Sequence, residues 1–260
     1  MPTPWSSKLC GLKATTFTIV PVGRCLSASQ YSGDVVLPDD GARLRVSVDV
    51  VALSVVDGRL SALVCRRAEP PYQGRWALPG ALLATDESLE AAARGALHDR
   101  TGLQPRRIEQ LAAYGEPRRD PRHRTVSVAW LAVLPGAGDP DRGAAWRPAD
   151  RLQAGTRLAF DHRRLLADGV ERTRARLEHS TIATAFLDTE FTVAALRAVY
   201  EVVWGQPLDA GNFHRKVTRT AGFVQPTGRH RRVGRGRPAE LFSAGPREVL
   251  QPPLTRRSLA

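Results

Sequence analysis

The chain has 260 residues, enough for two modest domains, and 42% of them are hydrophobic, which suffices for packed cores. Its 38 Lys and Arg against 26 Asp and Glu give a net charge of +12, which favours a polyanionic partner such as nucleic acid. No apolar run approaches the length of a membrane span. The three cysteines are isolated, so they indicate neither a disulfide framework nor a zinc site and fit a reducing cytoplasm.

The two ends of the chain differ from its middle. Residues 1–42 hold few periodic apolar positions and no acidic residue before Asp34, which predicts a disordered N-terminal extension. Their Ser and Thr content leaves a targeting peptide as the alternative. Residues 245–260 contain three prolines, and we expect them to form a flexible tail.

Residues 43–179 have the pattern of an α/β domain. The Val-rich run 44–56 predicts a strand, Asp57-Gly58 predicts a tight turn, and residues 59–67 predict the returning strand of a hairpin. Residues 87–100 carry apolar positions at helical spacing, and Gly102 suits the position just past the end of a helix. Further elements are predicted as strands over 108–114 and 125–134 and a helix over 162–178.

Residues 180–244 have the order helix, turn, helix and hairpin, which is that of a winged helix-turn-helix. Residues 191–205 place an apolar stripe at 3.6-residue spacing, with Thr192 as the N-cap. Asp209 is positioned to cap a second helix in which Phe213 and Val217, four residues apart, face inward. Gly222 is expected to stop this helix before two short strands, at 223–224 and 240–242.

The second helix and the hairpin carry the charge that indicates DNA binding. Residues 213–238 contain eight Arg or Lys, two His and no acidic residue, whereas the first helix is nearly neutral. An arginine-rich solvated surface is the alternative. The predicted DNA-binding residues are Asn212, His214, Arg215, Lys216, Thr218 and Arg219 on the helix and Arg229, Arg231, Arg232, Arg235 and Arg237 in the wing.

Residues 76–103 resemble the Nudix box, G-x5-E-x7-R-E-U-x-E-E-x-G-U, whose helix carboxylates hold divalent metal ions on a phosphate. Aligned on Gly102, the chain keeps Glu87 but replaces most of the other motif residues. The replacements are Ala81 for Gly, Gly95 for Arg, Ala96 for Glu, and Asp99 and Arg100 for Glu-Glu. A register shifted by one residue recovers Gly80 and Arg94 but puts Gly95 and His98 at metal-binding positions. Neither register rebuilds a metal cage, so we expect no bound metal and hydrolysis that is lost or very weak. The alternative is a helix that only packs on the sheet.

The second half of the chain resembles a narrower family. The sequences LAFDH (158–162), PLDAGNFHRKV (207–217) and GRPAELF (236–242) occur in the order and spacing of the Nudix-related transcriptional regulators of NAD metabolism. The resemblance implies an α/β Nudix-like sandwich, residues 43–179, that senses an effector and is followed by a small winged helix-turn-helix domain, residues 180–244. It further implies a cytoplasmic homodimeric repressor of NAD-related genes that needs no cofactor, binds palindromic double-stranded DNA, and responds to ADP-ribose.

Candidate effector-binding residues are arginines, because without metal an arginine must offset the phosphate charge. We select Arg66, Arg67, Arg75, Arg118 and Arg119, each of which has a solvated surface charge as its alternative. Three functions stay open at this point. One is the ADP-ribose-responsive repressor, one is a weak Nudix hydrolase of nucleoside diphosphate derivatives whose basic domain binds substrate or RNA, and one is the same type of regulator responding to a sugar metabolite.

Overall fold

Seven strands of the described residues form one mixed sheet. The structure is a computed structural model that describes residues 44–136, 140, 143–232, 238–255 and 259. The strands are β1 (Arg45–Val56), β2 (Arg59–Arg66), β3 (Trp76–Ala77), β4 (Gly80–Leu82), β5 (Arg107–Tyr114), β6 (Thr125–Val133) and β7 (Ala144–Pro148). Their order is β3-β2-β1-β6-β5, with β4 beside β1 and β7 beside β2. Strands β1 and β6 pair in parallel, and the other neighbours pair antiparallel.

The β1–β2 hairpin confirms the prediction from Asp57-Gly58. Asp57 has φ 48° and Gly58 has φ 68°, so both turn residues adopt the left-handed conformation. Such a turn matches the right-handed twist of the two flanking strands. Asp tolerates this conformation better than most residues and Gly adopts it without strain, which is why these two residues suit the turn.

Helices cover both faces of the sheet, as expected for an α/β sandwich. Val48 and Val50 of β1 belong to one core cluster with helix α1 (Leu89–Thr101). Val51 and Leu53 belong to another cluster with helix α3 (His162–His179), which follows the short helix α2 (Ala149–Ala154). Successive side chains of a strand point to opposite faces, so the uninterrupted apolar run of β1 supplies both cores.

Helix α1 begins and ends at residues that suit those positions. The Ser88 side chain accepts a hydrogen bond from the Ala91 backbone N–H at 3.2 Å, and Gly102 has φ 75° at the C-terminal end. The helix therefore starts two residues later than the predicted residue 87, because Ser88 is a better N-cap, and the predicted role of Gly102 is confirmed.

The winged helix follows a short 3-10 helix (Thr181–Phe186). Its elements are α4 (Val193–Trp204), α5 (Ala210–Arg219), β8 (Val224–Arg231) and β9 (Ala239–Ala244). Thr192 caps α4 and Asp209 caps α5, both as predicted. Helix α5 already ends at Arg219, and Gly222, with φ 74°, lies in the turn before β8. The wing strands are longer than the two predicted segments, 223–224 and 240–242, because β8 and β9 continue to pair with each other through their polar residues.

The C-terminal segment differs from the expected flexible tail. Leu250 and Leu254 are only 2% and 3% exposed. Their backbone N–H groups donate to the carbonyls of His179 and Glu178 at the end of α3, at 2.8 and 2.9 Å. Two buried leucines and the open carbonyls of a helix end explain why this segment packs despite its prolines.

Other differences concern short or masked parts of the chain. The prediction did not include β4, β7, α2 and the 3-10 helix, all of which have six residues or fewer. The predicted disorder of residues 1–42 lies outside the described residues. In the described part of the chain, no helix combines the length and the apolar character needed to span a bilayer.

Candidate DNA-binding surface and effector cavity

Helix α5 turns a basic face away from the protein. Phe213 and Val217 are fully buried, and the Phe213 ring packs edge-on against Tyr200 of α4, with ring centroids 5.3 Å apart. The Asp209 carboxylate accepts a hydrogen bond from the Asn212 backbone N–H at 2.7 Å and so fixes the first turn. Because these contacts set the rotation of α5, its remaining side chains point outward.

The structure brings the predicted residues of α5 together on that face. His214, Arg215, Thr218 and Arg219 are exposed, whereas Asn212 and Lys216 are half-buried. Arg215 Nη2 donates to Asn212 Oδ1 at 2.9 Å, so the two polar groups at the start of the helix form a pair. The Thr218 hydroxyl donates to the His214 carbonyl at 2.8 Å, which leaves Thr218 only its lone pairs and methyl group for an outside contact.

The described part of the wing adds exposed arginines beside α5. Arg229, Arg231 and Arg232 are exposed, while Arg235 and Arg237 lie outside the described residues. Arg229 forms an ion pair with Glu190, which precedes α4, and this pair ties the wing to the helical part of the domain. Arg231 and Arg232 are exposed and can contact a polyanion while the ion pair between Arg229 and Glu190 stays intact.

A cavity of about 310 Å³ opens beside the end of α1. Four guanidinium groups line it, from Arg67, Arg100, Arg119 and Arg122, together with the carboxylates of Asp49, Glu69 and Asp120 and the ring of Phe160. A smaller cavity of about 130 Å³ adjoins it and shares Arg67 and Arg100. Gly80 forms part of both walls, and any side chain there would collide with Asp49, since a Cβ would stand 2.4 Å from Asp49 Oδ1.

A buried ionic cluster forms one wall of the cavity. Arg119 donates to Asp49 Oδ2 at 3.2 Å and to both carboxylate oxygens of Asp161, at 2.8 and 3.0 Å. The Ser127 hydroxyl donates to Asp49 Oδ2 at 2.5 Å. Burial raises the pKa of Asp49, but His162, Ser127 and Arg119 outweigh it and bring the pKa down to about 2. The cluster therefore keeps Asp49 ionised inside the protein.

His162 is structural in this arrangement, in agreement with its buried position. Its Nδ1 accepts a hydrogen bond from the Leu78 backbone N–H at 2.9 Å. Its other ring nitrogen, Nε2, faces Asp49 Oδ1 at 3.4 Å. His162 thus joins the first turn of α3 to the strand residues at the cavity.

Arg119 departs from the role predicted for it. Its side chain is only 4% exposed, and its guanidinium group forms ion pairs with Asp49 and Asp161. Arg119 therefore stabilises the cavity wall and has few hydrogen-bond donors left for a ligand. The sequence did not reveal this because Asp49 and Asp161 are 70 and 42 residues away along the chain.

The other predicted arginines divide into two groups. Arg67 lines both cavities and Arg66 the smaller one, where its guanidinium lies 4.1 Å from the centroid of the Trp76 ring. Arg75 and Arg118 are exposed and stand away from the lining of both cavities, Arg75 over the Tyr72 ring at 5.1 Å. Arg100 and Arg122, which are not among the selected candidates, also line the larger cavity.

Three glycines bear on the register of the Nudix box. A Cβ on Gly95 would stand 3.9 Å from Glu87 Oε1, so these two residues are neighbours. Gly102 ends α1, as the closing glycine of the motif does. Gly80 lies where the chain approaches β1 closely, which fits the first glycine of the motif. Gly80, Glu87 and Gly102 fit the motif together when the loop between Gly80 and Glu87 is one residue longer than in the motif.

The metal ion that the Nudix motif implies does not fit this helix. Ala96, Asp99 and Arg100 occupy glutamate positions of the motif. Among the residues that the structure describes, no group of three or more His, Cys, Asp or Glu is arranged to hold a metal ion. A divalent cation prefers several anionic oxygens, and Arg100 adds a repelling charge.

Helix α3 connects the cavity to the winged helix. Its first residue, His162, lies in the cavity wall, and its second half contacts α4. Arg174 Nε donates to the Val203 carbonyl at 3.0 Å, Trp204 Nε1 donates to the Arg174 carbonyl at 3.2 Å, and the Tyr200 hydroxyl donates to the Leu177 carbonyl at 3.1 Å. A displacement of α3 would therefore reach the helix that supports α5.

Comparison with known proteins agrees with both halves of this architecture. A family model of the NUDIX domain matches residues 43–169, and the model of the NrtR DNA-binding winged helix domain matches residues 183–244. The crystal structure of Shewanella oneidensis NrtR complexed with a 27mer DNA is 31% identical, with a TM-score of 0.73, over 81% of this chain and 99% of that one. The chain belongs to the NrtR family of regulators. The Nudix-like sandwich and the winged helix predicted from the sequence are thereby confirmed.

Other relatives of this NrtR-family chain include a repressor and an enzyme. The ADPR responsive transcriptional repressor NtrR of Acinetobacter baylyi is 29% identical over 204 residues, which are 76% of this chain and 80% of that protein. The ADP-ribose pyrophosphatase of Methanocaldococcus jannaschii is 28% identical over 149 residues, which are 55% of this chain and 86% of the enzyme. The enzyme matches a smaller share of the chain than the repressor does.

Proposed function

We propose that this chain is a transcriptional repressor of NAD-related genes that leaves its DNA when ADP-ribose binds to the arginine-lined cavity. Residues 43–179 would be the effector-sensing domain and residues 180–244 the DNA-binding domain, acting in the cytoplasm. The observation that carries the proposal is that one helix, α3, contributes His162 to the cavity and supports α4 through three hydrogen bonds. Effector binding and DNA binding therefore share a structural element whose position each can bias.

The DNA contact would divide between reading bases and gripping phosphates. Asn212 and Arg215 form a hydrogen-bonded pair at the N-terminal end of α5, the end that enters the major groove in helix-turn-helix proteins. Arg231 and Arg232 at the end of β8 would contact phosphates. The relative with bound 27mer DNA supports this assignment for the winged helix. A homodimer on a palindromic site would double the contact, as is usual for such readers.

ADP-ribose is the effector that we favour, because the cavity offers guanidinium groups for a diphosphate and the aromatic ring of Phe160. The relative from Acinetobacter baylyi is named as responsive to this compound. A sugar metabolite without phosphate would bring no anion to the Arg67 and Arg100 charges at the cavity. We further propose that the domain does not hydrolyse ADP-ribose, because α1 presents Asp99 beside Arg100 where a metal site needs adjacent carboxylates.

A weak hydrolase is the second candidate, favoured by the similarity to an ADP-ribose pyrophosphatase over 149 residues. One experiment separates the two functions. A duplex is first selected from a random pool by the purified protein, and ADP-ribose is then titrated into the complex in the presence of EDTA. We expect release of the DNA, and intact ADP-ribose after long incubation with magnesium or manganese. Rapid metal-dependent formation of AMP would establish the hydrolase, and DNA binding unaffected by ADP-ribose would refute the proposed effector.

Thermodynamic linkage makes the same experiment quantitative. Whatever factor ADP-ribose removes from DNA affinity, DNA must remove from ADP-ribose affinity, with a typical coupling of about 1–3 kcal/mol. Calorimetry with and without the selected duplex measures both sides of this relation. Unequal factors would mean that release occurs by competition with contaminating material or by partial unfolding rather than by coupling within one protein.

A further inference from the structure

Arg100 stands where the Nudix motif places a metal-binding glutamate. Arg100 takes this position in the register that aligns Glu87 and Gly102 with the motif Glu and the closing Gly. A guanidinium there repels a divalent cation, so the chain has not merely lost a metal ligand but has gained a positive charge of its own. This positive charge lies at a motif position whose glutamate would otherwise help to hold a metal ion against a phosphate.

The surroundings leave the Arg100 guanidinium available to a ligand. Arg100 is exposed in the last turn of α1 and lines both cavities. It forms no side-chain ion pair or hydrogen bond with another described residue, and only its backbone carbonyl faces Cys65 Sγ, at 3.9 Å. Arg119 and Arg122, by contrast, are held by the carboxylates of Asp49, Asp161 and Asp120.

Three guanidinium groups converge on this place and repel one another. Burial, followed by the charges of Arg122 and Arg100, lowers the pKa of Arg67. Arg67 is nevertheless held in position, because its Nε donates to the Pro71 carbonyl at 2.7 Å and its guanidinium lies 4.8 Å from the Phe160 ring centroid. Like charges held together in this way are stabilised when a multivalent anion binds between them.

We propose that Arg100, with Arg67 beside it, replaces the metal ion and binds the diphosphate of the effector directly. The planar guanidinium group of arginine can donate hydrogen bonds to two phosphate oxygens at once. A metal ion could not take this role here, because the helix lacks most of the carboxylates that would hold it. This inference rests on the proposed function for the identity of the effector, but it makes a separate claim: binding needs the Arg100 charge and needs no metal.

The test compares wild type with Arg100→Gln and Arg100→Glu, and uses Arg94→Gln as the matched control. Arg94 lies on the same helix but pairs with Glu90 and lines neither cavity. Calorimetry in EDTA measures the affinity for ADP-ribose and for inorganic pyrophosphate, which is a probe of the phosphate contact alone. We expect Arg100→Gln to weaken both by about tenfold or more, Arg100→Glu to weaken them further, and Arg94→Gln to leave both within about twofold. Circular dichroism and thermal unfolding of every variant, compared with the wild type, check that each is folded.

Each outcome decides either this inference or the proposed function. ADP-ribose binding that requires magnesium in the wild type, or that survives in Arg100→Gln, overturns the role of Arg100 while leaving the repressor intact. Pyrophosphate binding that depends on Arg100, without any binding of ADP-ribose, supports the phosphate site and removes ADP-ribose as the effector. If neither compound binds, with or without magnesium, both proposals fail.

Discussion

Replacing Arg119 with Met should destabilise the protein strongly, because it leaves the buried carboxylate of Asp49 and the partly buried carboxylate of Asp161 without their partner. The Arg119 side chain is 4% exposed, that of Asp49 10% and that of Asp161 18%. Removing one partner of a buried ion pair costs about 3–5 kcal/mol. For the folded part of this chain each kcal/mol corresponds to about 2–4 °C in Tm, so we expect Tm to decrease by about 6–20 °C.

The pH dependence of this loss follows from Asp49. In the wild type its pKa is about 2, below the unfolded value, so its contribution to stability is complete above the unfolded pKa and is lost as the pH falls from the unfolded pKa through 2. Without Arg119, burial of the carboxyl group is less well offset, and the pKa of Asp49 rises. Lowering the pH from 7 towards 4 should therefore reduce the stability difference between the variant and the wild type.

Urea unfolding at several pH values measures the effect, with Arg118→Met as the control. Arg118 is the exposed neighbour, and its replacement should change stability by less than about 0.5 kcal/mol. The double variant Asp49→Asn with Arg119→Met should be more stable than Arg119→Met alone, because it removes one of the stranded charges. If Arg119→Met unfolds like Arg118→Met but no longer binds ADP-ribose, the structural role assigned to Arg119 is wrong and its first assignment as a ligand residue is right.

Two further changes test the DNA surface and the C-terminal segment. Arg215→Ala should cost about 1–3 kcal/mol on the selected duplex and relax the preference at one base pair, whereas Arg231→Ala should weaken selected and random DNA alike and reduce the salt slope by about 1. Equal losses on both DNAs for Arg215→Ala, measured by fluorescence anisotropy, would show that Arg215 contacts phosphate only. Leu254→Ala should reduce the free energy of unfolding by about 2–5 kcal/mol, since Leu254 is 3% exposed in the core. A loss below about 0.5 kcal/mol in urea unfolding would mean that this segment is the flexible tail first expected.

Local signals in the sequence were sufficient for the elements that are stabilised locally. Asp57-Gly58, Gly102, Thr192 and Asp209 act through backbone conformation and capping within four residues, so their roles were predictable without any tertiary contact. The inward face of α5 followed from the spacing of Phe213 and Val217 in the same way. Short elements such as β4, of three residues, carry too little periodicity to be recognised.

The sequence points to the basic surface more directly than to the cavity, because the cavity residues are far apart along the chain. Basic residues on one helix and one hairpin identify a surface without further information, because each element presents its own side chains. The cavity joins residues of β1, of the end of β2, of α1, of the 119–122 loop and of the start of α3. Nothing local distinguishes Arg119, which is buried between two aspartates, from Arg118, which is exposed.

The amino-acid sequence by itself determined which segments form the sandwich and the winged helix, which face of α5 is basic, and that the box helix lacks most metal ligands. These properties depend on periodicity, caps and residue types that are close together in the chain. Only the tertiary structure decided that Arg119 stabilises the wall, that Arg100 reaches the cavity, and that residues 248–254 pack against the end of α3. Those outcomes depend on charges and apolar groups that meet across long sequence separations, where burial determines whether an arginine needs a carboxylate partner or remains available to a ligand.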